Sequence, residues 1–242
     1  MYYVAHRYGN ITEITEIEKE SSKVRIHHSR KRVGIYGPRR PDNIRRTKKT
    51  CLRCLLSALK KIGCPLLVTL TFSGDASDAS YANDSLRRFQ VRLRALYPKA
   101  QSLFVPELSP RGRIHFHGVL FGLPLRLGDK SENKRIVRYG DERKTRTLAR
   151  LWGEGYVDVR QTDGSRRLAY YIAKYITKGG GETLFNAMRM IRMSRGFPRE
   201  TIIRGKEAEK LARSYASTKK PIEEWETEKP YSGRIVIKKY ED

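Results

Sequence analysis

Cysteine is scarce in this sequence, and no long apolar run is present. The 242 residues include three cysteines, Cys51, Cys54 and Cys64, and an odd number cannot form a closed disulfide framework. No apolar run approaches the roughly 18 residues that span a bilayer, and the N-terminus lacks the apolar core of a signal peptide. These absences argue against a disulfide-stabilised secreted domain and a helical membrane protein. We expect an intracellular protein with no membrane partner.

Acidic residues are also few. The chain has 26 Asp and Glu against 51 Lys and Arg, which gives a formal net charge of +25. Solubility alone needs a net charge of only about 2 to 8 in a small domain. The excess is spread along the sequence and therefore indicates a polyanionic partner. No G-x-x-x-x-G-K-S/T sequence is present, which argues against an ATP-driven motor in this chain.

Cys51 and Cys54 form a C-x-x-C pair, which is half of a common type of zinc site. The surrounding residues 47–62 have leucines at the spacing of an amphipathic helix. No second C-x-x-C follows in the sequence. We therefore favour core cysteines over zinc ligands.

Apolar periodicity predicts alternating helices and strands in the middle of the chain. Helices are expected at residues 47–62, 80–97 and 146–152 and between Ser165 and Gly179; strands are expected at residues 66–72, 102–108, 112–121 and 156–160. The order is αβαββαβα. It is typical of an α+β fold in which an antiparallel sheet carries helices on one face.

Charge and composition divide the chain into three predicted parts. Residues 1–46 contain basic clusters at 30–32 and 39–40, and we expect a basic N-terminal arm that is partly ordered at most. Residues 47–181 form the main domain. Residues 182–242 form a basic C-terminal extension, with a charged helix at 206–216 and a last strand at 234–238.

Two histidines stand two residues apart within the predicted strand 112–121. A strand places His115 and His117 on one face. If residues 110–112 form a three-residue hairpin loop with Gly112 left-handed, Glu107 lies opposite His115 and adds a carboxylate to that face. A loop one residue longer or shorter turns Glu107 away. These ligand types suit Mn²⁺ or Mg²⁺, and Zn²⁺ also accepts them. The alternative is two exposed strand histidines beside a sheet edge.

Two tyrosines stand four residues apart in the last predicted helix. Tyr171 and Tyr175 therefore share one side of it, and Lys174 and Lys178 each follow a tyrosine by three residues. A phenol, with a pKa of about 10, is a poor nucleophile until a cation or a metal-bound phosphate stabilises its ionised form. Two such nucleophiles can cut a phosphodiester, hold it as phosphotyrosine and rejoin it. The alternative is that both tyrosines pack at the rim of a core helix.

These motifs together resemble the HUH endonucleases, and among them the two-tyrosine rolling-circle replication initiators of small single-stranded DNA phages and related plasmids. Residues 66–72, LLVTLTF, resemble the first strand motif of that family. Residues 114–118, IHFHG, resemble its histidine-hydrophobe-histidine motif, and residues 171–175, YIAKY, resemble its tyrosine motif. The three stretches occur in the order found in the family.

The resemblance implies a central antiparallel sheet of ferredoxin-like or RRM-like type. It implies a divalent metal, Mg²⁺ or Mn²⁺, held by His115 and His117, with Glu107 as the matching third ligand. Tyr171 or Tyr175 would nick one strand at an origin, leaving a 5′-phosphotyrosine and a free 3′-hydroxyl. Lys174 would stabilise the phosphate. Backbone phosphates would be bound by basic side chains of two helices: Arg87, Arg88, Arg92, Arg94 and Lys178.

The expected partners are single-stranded DNA or an origin hairpin and a host helicase or polymerase, in the cytoplasm of a host cell. Three other interpretations remain open. One is another HUH enzyme, a two-tyrosine transposase or a relaxase. Another is a non-catalytic RRM-like protein that binds single-stranded nucleic acid by stacking bases on aromatic side chains. The third is a metal-independent RNA-processing nuclease of ferredoxin-like fold.

Overall fold

A computed structural model describes residues 1–18, 41–74, 76–123, 136–137, 146–178, 189–229 and 232–242. The chain divides into two compact units. One combines Met1–Lys31 with Arg199–Asp242, and the other is Arg32–Pro198. None of the helices within the described ranges has both the length and the apolar character needed to cross a bilayer.

The described ranges contain the following helices and strands. In chain order they are β1 (Tyr2–Tyr8), β2 (Ile11–Ile17), α1 (Pro41–Ile62), β3 (Leu66–Phe72), α2 (Ala79–Leu96), β4 (Gln101–Leu108), β5 (Ile114–Phe121), β6 (Ile136–Val137), α3 (Arg146–Trp152), β7 (Gly155–Gln161), α4 (Arg166–Lys178), β8 (Arg192–Met193), β9 (Thr201–Arg204), α5 (Lys206–Thr218), β10 (Glu223–Lys229) and β11 (Gly233–Glu241).

The larger unit is built on an antiparallel sheet with the strand order β6-β7-β3-β5-β4-β8. The predicted α+β class and the predicted order of elements are confirmed. Strand β3 alternates between buried and half-buried residues, as expected for a central strand whose two faces differ. Its neighbour β5 carries the two histidines into the middle of the sheet.

Helices cover both faces of this sheet. On one face, Phe89 of α2 and Trp152 of α3 pack with Phe116 of β5 in a fully buried cluster. Side chains alternate along β5, so His117 points to the opposite face, where its ring stacks on Tyr175 of α4. The expectation of helices on one face only is therefore wrong. The histidine face and the tyrosine helix enclose one region between them.

Helix α1 packs against α4 and begins at Pro41, earlier than the predicted residue 47. Proline suits the first turn of a helix because its missing N–H has no partner there in any case. Cys51 and Cys54 are buried on the inner side of α1. Burial, aided by the neighbouring Cys54, raises the pKa of the Cys51 thiol far above its usual value. Both cysteines behave as core residues, as the helical spacing indicated.

Helix α2 buries a narrower stripe than its sequence suggested. Leu86, Phe89 and Leu93 lie in the core, but Val91 and Leu96 are 54% and 53% exposed. Residues 86, 89 and 93 follow the three- and four-residue spacing of one helix face, and Val91 and Leu96 fall outside it.

The smaller unit has its own sheet, with the order β10-β11-β2-β1-β9. Helix α5 covers one face of it, where Ala208 and Ala212 pack on Ala5, Ile14 and Tyr240. The helix and last strand predicted near the C-terminus are confirmed.

The N-terminal residues were expected to form a basic arm, yet residues 2–17 are two strands of this sheet. Each residue of β2 pairs with β1 on one side, and most also pair with β11 on the other. The predicted basic clusters at residues 30–32 and 39–40 lie outside the described residues. The predicted extension after residue 181 contributes β9, α5, β10 and β11 to the same unit.

Candidate active site

The β4–β5 hairpin has the loop that the sequence predicted. The N–H of Ser109 donates to the carbonyl of Arg113 at 2.8 Å, and the N–H of Gly112 donates to the carbonyl of Ser109 at 2.9 Å. Gly112 has a φ of 73°, a left-handed conformation that side chains disfavour. The loop therefore consists of residues 110–112.

This loop places Glu107 on the histidine face. Glu107 lies opposite His115, and Val105 lies opposite His117. The predicted register is confirmed. The Glu107 side chain leans diagonally across the strands, and its Oε2 lies 2.6 Å from Nε2 of His117. The carboxylate and the two imidazoles share one face of the sheet.

Two threonines on β3 support the histidines from the other side. Thr71 lies opposite His115 and Thr69 lies opposite His117. Oγ1 of Thr71 is 3.0 Å from Nδ1 of His115, and Oγ1 of Thr69 is 3.2 Å from Nδ1 of His117. In each ring Nδ1 is thus engaged by a hydroxyl, and Nε2 is the second nitrogen. Sequence reasoning missed these threonines because it did not establish that β3 pairs with β5.

His115 is held in its neutral form. Burial lowers its pKa below the usual value, the nearby Arg113 lowers it further, and the charge of Glu107 opposes both. A neutral imidazole is the form that binds a metal.

Helix α4 lays its tyrosines over this face. The ring of Tyr175 stacks on His117 with centroids 4.0 Å apart. The hydroxyl of Tyr175 donates to the hydroxyl oxygen of Tyr171 at 2.6 Å. Tyr171 is 37% exposed and Tyr175 only 6%, whereas Tyr170 lies further out at 56%. The structure therefore brings both predicted tyrosines to the predicted histidines.

Lys174 lies beside both phenols. Its Nζ is 4.3 Å from the centre of the Tyr171 ring and 5.4 Å from that of Tyr175. Burial and the hydrogen bond to Tyr171, with the charges of Tyr171 and Glu107, raise the pKa of Tyr175 well above its usual value. Tyr175 therefore keeps its proton and can donate it to Tyr171.

The donor set fits a divalent metal. Two imidazoles and one carboxylate give the mixed nitrogen and oxygen ligation that Mn²⁺ and Mg²⁺ sites accept. Among the described residues, no three His, Cys, Asp or Glu side chains already form a metal cage. Glu107 instead contacts His117 directly, and a bound metal ion would take the place of that contact.

The arginines predicted to bind DNA lie elsewhere. Helix α2 packs on the sheet face opposite the histidines. Arg88 donates to the carboxylate of Glu154 at 2.9 Å, and Arg92 donates to the carbonyl of Leu151 at 3.2 Å. Arg87 is exposed and Arg94 half-buried on the same helix. Lys178 ends α4, but its side chain lies outside the described part of the structure.

A basic cavity of about 360 Å³ lies where the start of α1 meets the segment before β8. Its lining residues are Arg46, Thr47, Thr50, Arg189, Met190 and Ile191. Arg46 and Arg189 are both exposed. The two guanidinium groups come from distant parts of the sequence, so composition alone could not pair them.

The three strands and the helix that build the site fall within one stretch of sequence. That stretch is similar to a known family. Residues 65–180 match the family model of the replication-associated protein ORF2. The match covers just under half of the chain, and it includes β3, the β4–β5 hairpin and α4. It supports a family of rolling-circle replication initiators. The searches among curated proteins and among solved structures found no match.

Proposed function

We propose that this protein is a replication initiator endonuclease that nicks single-stranded origin DNA by tyrosine attack and later rejoins the strands. The observation that carries the proposal is the contact between the tyrosine helix and the histidine face. The hydrogen-bonded hydroxyls of Tyr171 and Tyr175 lie over His117, next to Glu107, within the segment similar to replication-associated proteins.

His115, His117 and Glu107 would hold a divalent ion, Mg²⁺ or Mn²⁺. When bound, such an ion supplies positive charge to the non-bridging oxygens of the scissile phosphate. The surrounding residues orient the ligands, since Thr69 and Thr71 hold the imidazole rings from the β3 side.

Tyr171 is the first nucleophile in this proposal. It is the more exposed tyrosine, and its oxygen accepts the hydrogen bond of Tyr175, which favours the ionised phenol. Its oxygen attacks the phosphorus, the bond from phosphorus to the 3′-oxygen breaks, and the DNA stays attached through a 5′-phosphotyrosine. The phenolic proton leaves to solvent, and the departing 3′-oxygen gains a proton. Lys174 stabilises the phosphate charge from the outer side.

Tyr175 serves the second transfer. Its ring is fixed by stacking on His117, and its hydroxyl lies within hydrogen-bond distance of the Tyr171 oxygen that would carry the DNA. Both nucleophiles therefore reach the same phosphate position without movement of the helix. This closeness favours an enzyme that stores and re-forms phosphodiester bonds over one that only hydrolyses them.

Single-stranded DNA or an origin hairpin is the partner that the charge of +25 supports. In the larger unit, Arg46 and Arg189 offer two cations at one cavity whose hydroxyl groups also suit a phosphate. We propose that this cavity binds the DNA backbone. The α2 arginines that contact Glu154 and Leu151 have a structural role as well. A host helicase or polymerase would extend the freed 3′-end.

The proposal is tested by incubating the protein with Mn²⁺ and an end-labelled single-stranded DNA library that includes hairpins. The expected product on a denaturing gel is a covalent protein–DNA band that disappears with EDTA. Tyr170→Phe is the matched control, because Tyr170 is on the same helix but is exposed on another side. DNA binding without any adduct would contradict the proposal and favour a non-catalytic single-strand binder. An adduct that forms equally well in EDTA would remove the metal from it.

A further inference from the structure

We infer that Thr69 and Thr71 are positioning residues that hold His115 and His117 through a change of tautomer when a metal ion binds. The inference rests on the proposed function in naming a divalent metal as the ligand. It assigns a role to hydroxyl groups that no sequence motif or family match identifies. Neither threonine is a catalytic residue, because each acts through a histidine.

The geometry comes from strand pairing. Alternation along β3 puts Thr69 and Thr71 on the same face, and antiparallel pairing puts each directly opposite one histidine. Both pairs make the same contact, from Oγ1 to Nδ1, at 3.2 Å and 3.0 Å. A repeated contact of this kind fixes the ring planes of both imidazoles and directs both Nε2 atoms away from β3.

The chemistry follows from the position of Glu107. A carboxylate only accepts hydrogen bonds, so a neutral His117 bonded to Glu107 at 2.6 Å carries its hydrogen on Nε2. Its Nδ1 is then an acceptor, and the hydroxyl of Thr69 must be the donor. A metal ion on Nε2 requires the opposite arrangement, in which Nδ1 carries the hydrogen and Thr69 accepts it.

A hydroxyl group can serve in both arrangements, because it has one hydrogen to donate and lone pairs to accept. A backbone carbonyl or a carboxylate in the same place could only accept and would not bond to the metal-free tautomer. Thr69 therefore lets His117 exchange Glu107 for a metal ion without losing its support at Nδ1. No proton enters or leaves the imidazole in this exchange, since the hydrogen only changes from one nitrogen to the other.

Thr71 has a further anchor. The indole N–H of the fully buried Trp152 donates to the carbonyl oxygen of Thr71 at 3.0 Å. This contact ties the backbone of β3 to the core on the opposite face of the sheet. The hydroxyl that supports His115 is thus fixed by packing that the solvent does not reach.

The test compares Thr69→Val and Thr71→Val, which keep the side-chain shape, with Thr69→Ser and Thr71→Ser, which keep the hydroxyl. Thr15→Val on β2 is the matched control for the loss of a strand threonine. Mn²⁺ affinity is measured without DNA by calorimetry or electron paramagnetic resonance. Histidine tautomers are measured in the metal-free protein by nitrogen-15 NMR.

The valine variants are expected to bind Mn²⁺ about 10- to 100-fold more weakly than the wild type, and the serine variants to bind close to wild type. In the metal-free wild type, His117 is expected as the Nε2–H tautomer, and Thr69→Val is expected to make that signal heterogeneous. Valine variants that match the wild type in both measurements would overturn the inference alone. A wild-type protein that binds no Mn²⁺ would overturn the metal part of the proposed function and this inference with it.

Discussion

The ring of Tyr175 lies parallel to the ring of His117, with 7° between the planes and 4.0 Å between the centroids. Tyr175 belongs to α4 and His117 to the middle of β5, so this stack joins the helix to the sheet at one point. The Tyr175 hydroxyl then passes its hydrogen bond outward to Tyr171. The two tyrosines are therefore unequal, because one is packed on the histidine and the other faces solvent.

This inequality predicts different effects for the two phenylalanine variants. Tyr171→Phe removes the proposed nucleophile, and we expect at least about a 100-fold loss of adduct in single-turnover assays. Tyr175→Phe keeps the stacked ring but loses one hydrogen-bond donor, for which we expect about a fivefold to tenfold loss in the first cleavage. A larger loss in Tyr175→Phe than in Tyr171→Phe would reverse the assignment.

Glu107→Gln tests the carboxylate on the histidine face. The amide keeps the shape of the side chain but removes the negative charge that a divalent ion needs, so Mn²⁺ affinity should fall about 10-fold or more. Isothermal titration measures it. Glu209→Gln, which changes an exposed glutamate paired with Arg213 on α5, is the control. Equal Mn²⁺ affinity in both variants would remove Glu107 from the ligand set.

Gly112→Ala tests the loop that sets the register. The new methyl group meets no atom within 4 Å, so its cost comes from the backbone φ of 73°. We expect a loss of about 1 kcal/mol in the free energy of unfolding, measured by urea denaturation. Gly74→Ala is the matched control because it also has open space and its φ is not in the left-handed range. Equal stability of the two variants would show that the left-handed loop residue is not required.

The pH dependence of stability should include a contribution from Glu154. Burial raises its pKa, but hydrogen bonds from Tyr81, Arg88 and Ser85 outweigh burial and lower the pKa below its ordinary value of 4.5. A carboxyl whose pKa is lower in the folded state stabilises the fold above about pH 4.5, and this contribution disappears as the pH falls through the lowered value.

Glu154→Gln should therefore flatten the acid limb of the stability curve. It should also reduce the free energy of unfolding at pH 7 by about 1 to 2 kcal/mol, because Arg88 loses its ionised partner. Urea denaturation from pH 3 to pH 8 measures both effects. An unchanged slope below pH 5 would contradict this role.

The cavity at the start of α1 gives a prediction for DNA affinity. Arg46→Gln and Arg189→Gln together should weaken binding of single-stranded DNA and reduce the slope of log affinity against log salt by about 1 to 2. Arg213→Gln on α5 is the control. Fluorescence anisotropy at several salt concentrations measures the slope, and a double variant that matches Arg213→Gln would exclude the cavity from the DNA path.

The local parts of the site could be predicted from the sequence. The alternation of residues 66–72 and 114–121 set two strands, and the three-residue loop fixed Glu107 opposite His115. Helical spacing placed Tyr171 and Tyr175 together at the edge of an apolar face and Tyr170 outside it. All these inferences depend on neighbours within about ten residues along the chain.

The parts that failed depend on distant pairings. Nothing near Thr69 in the sequence indicates that His117, 48 residues later, lies across from it. The smaller sheet joins Ile14 of the N-terminal hairpin to Lys238 near the C-terminus. The alternating residues of β2 were visible, but the basic composition of the segment after them dominated the interpretation of residues 1–46. The side of the sheet taken by α4 was likewise a matter of tertiary packing.

The most direct test of the central claim is to map the residue that carries the DNA. Trypsin cleaves after Arg167, Lys174 and Lys178, so the peptide of residues 168–174 carries Tyr170 and Tyr171, and the peptide of residues 175–178 carries Tyr175. After a single-turnover reaction with Mn²⁺ and nuclease trimming, mass spectrometry with fragmentation should find the nucleotide on Tyr171. A nucleotide on Tyr170, or none on either peptide, would contradict the proposed active site.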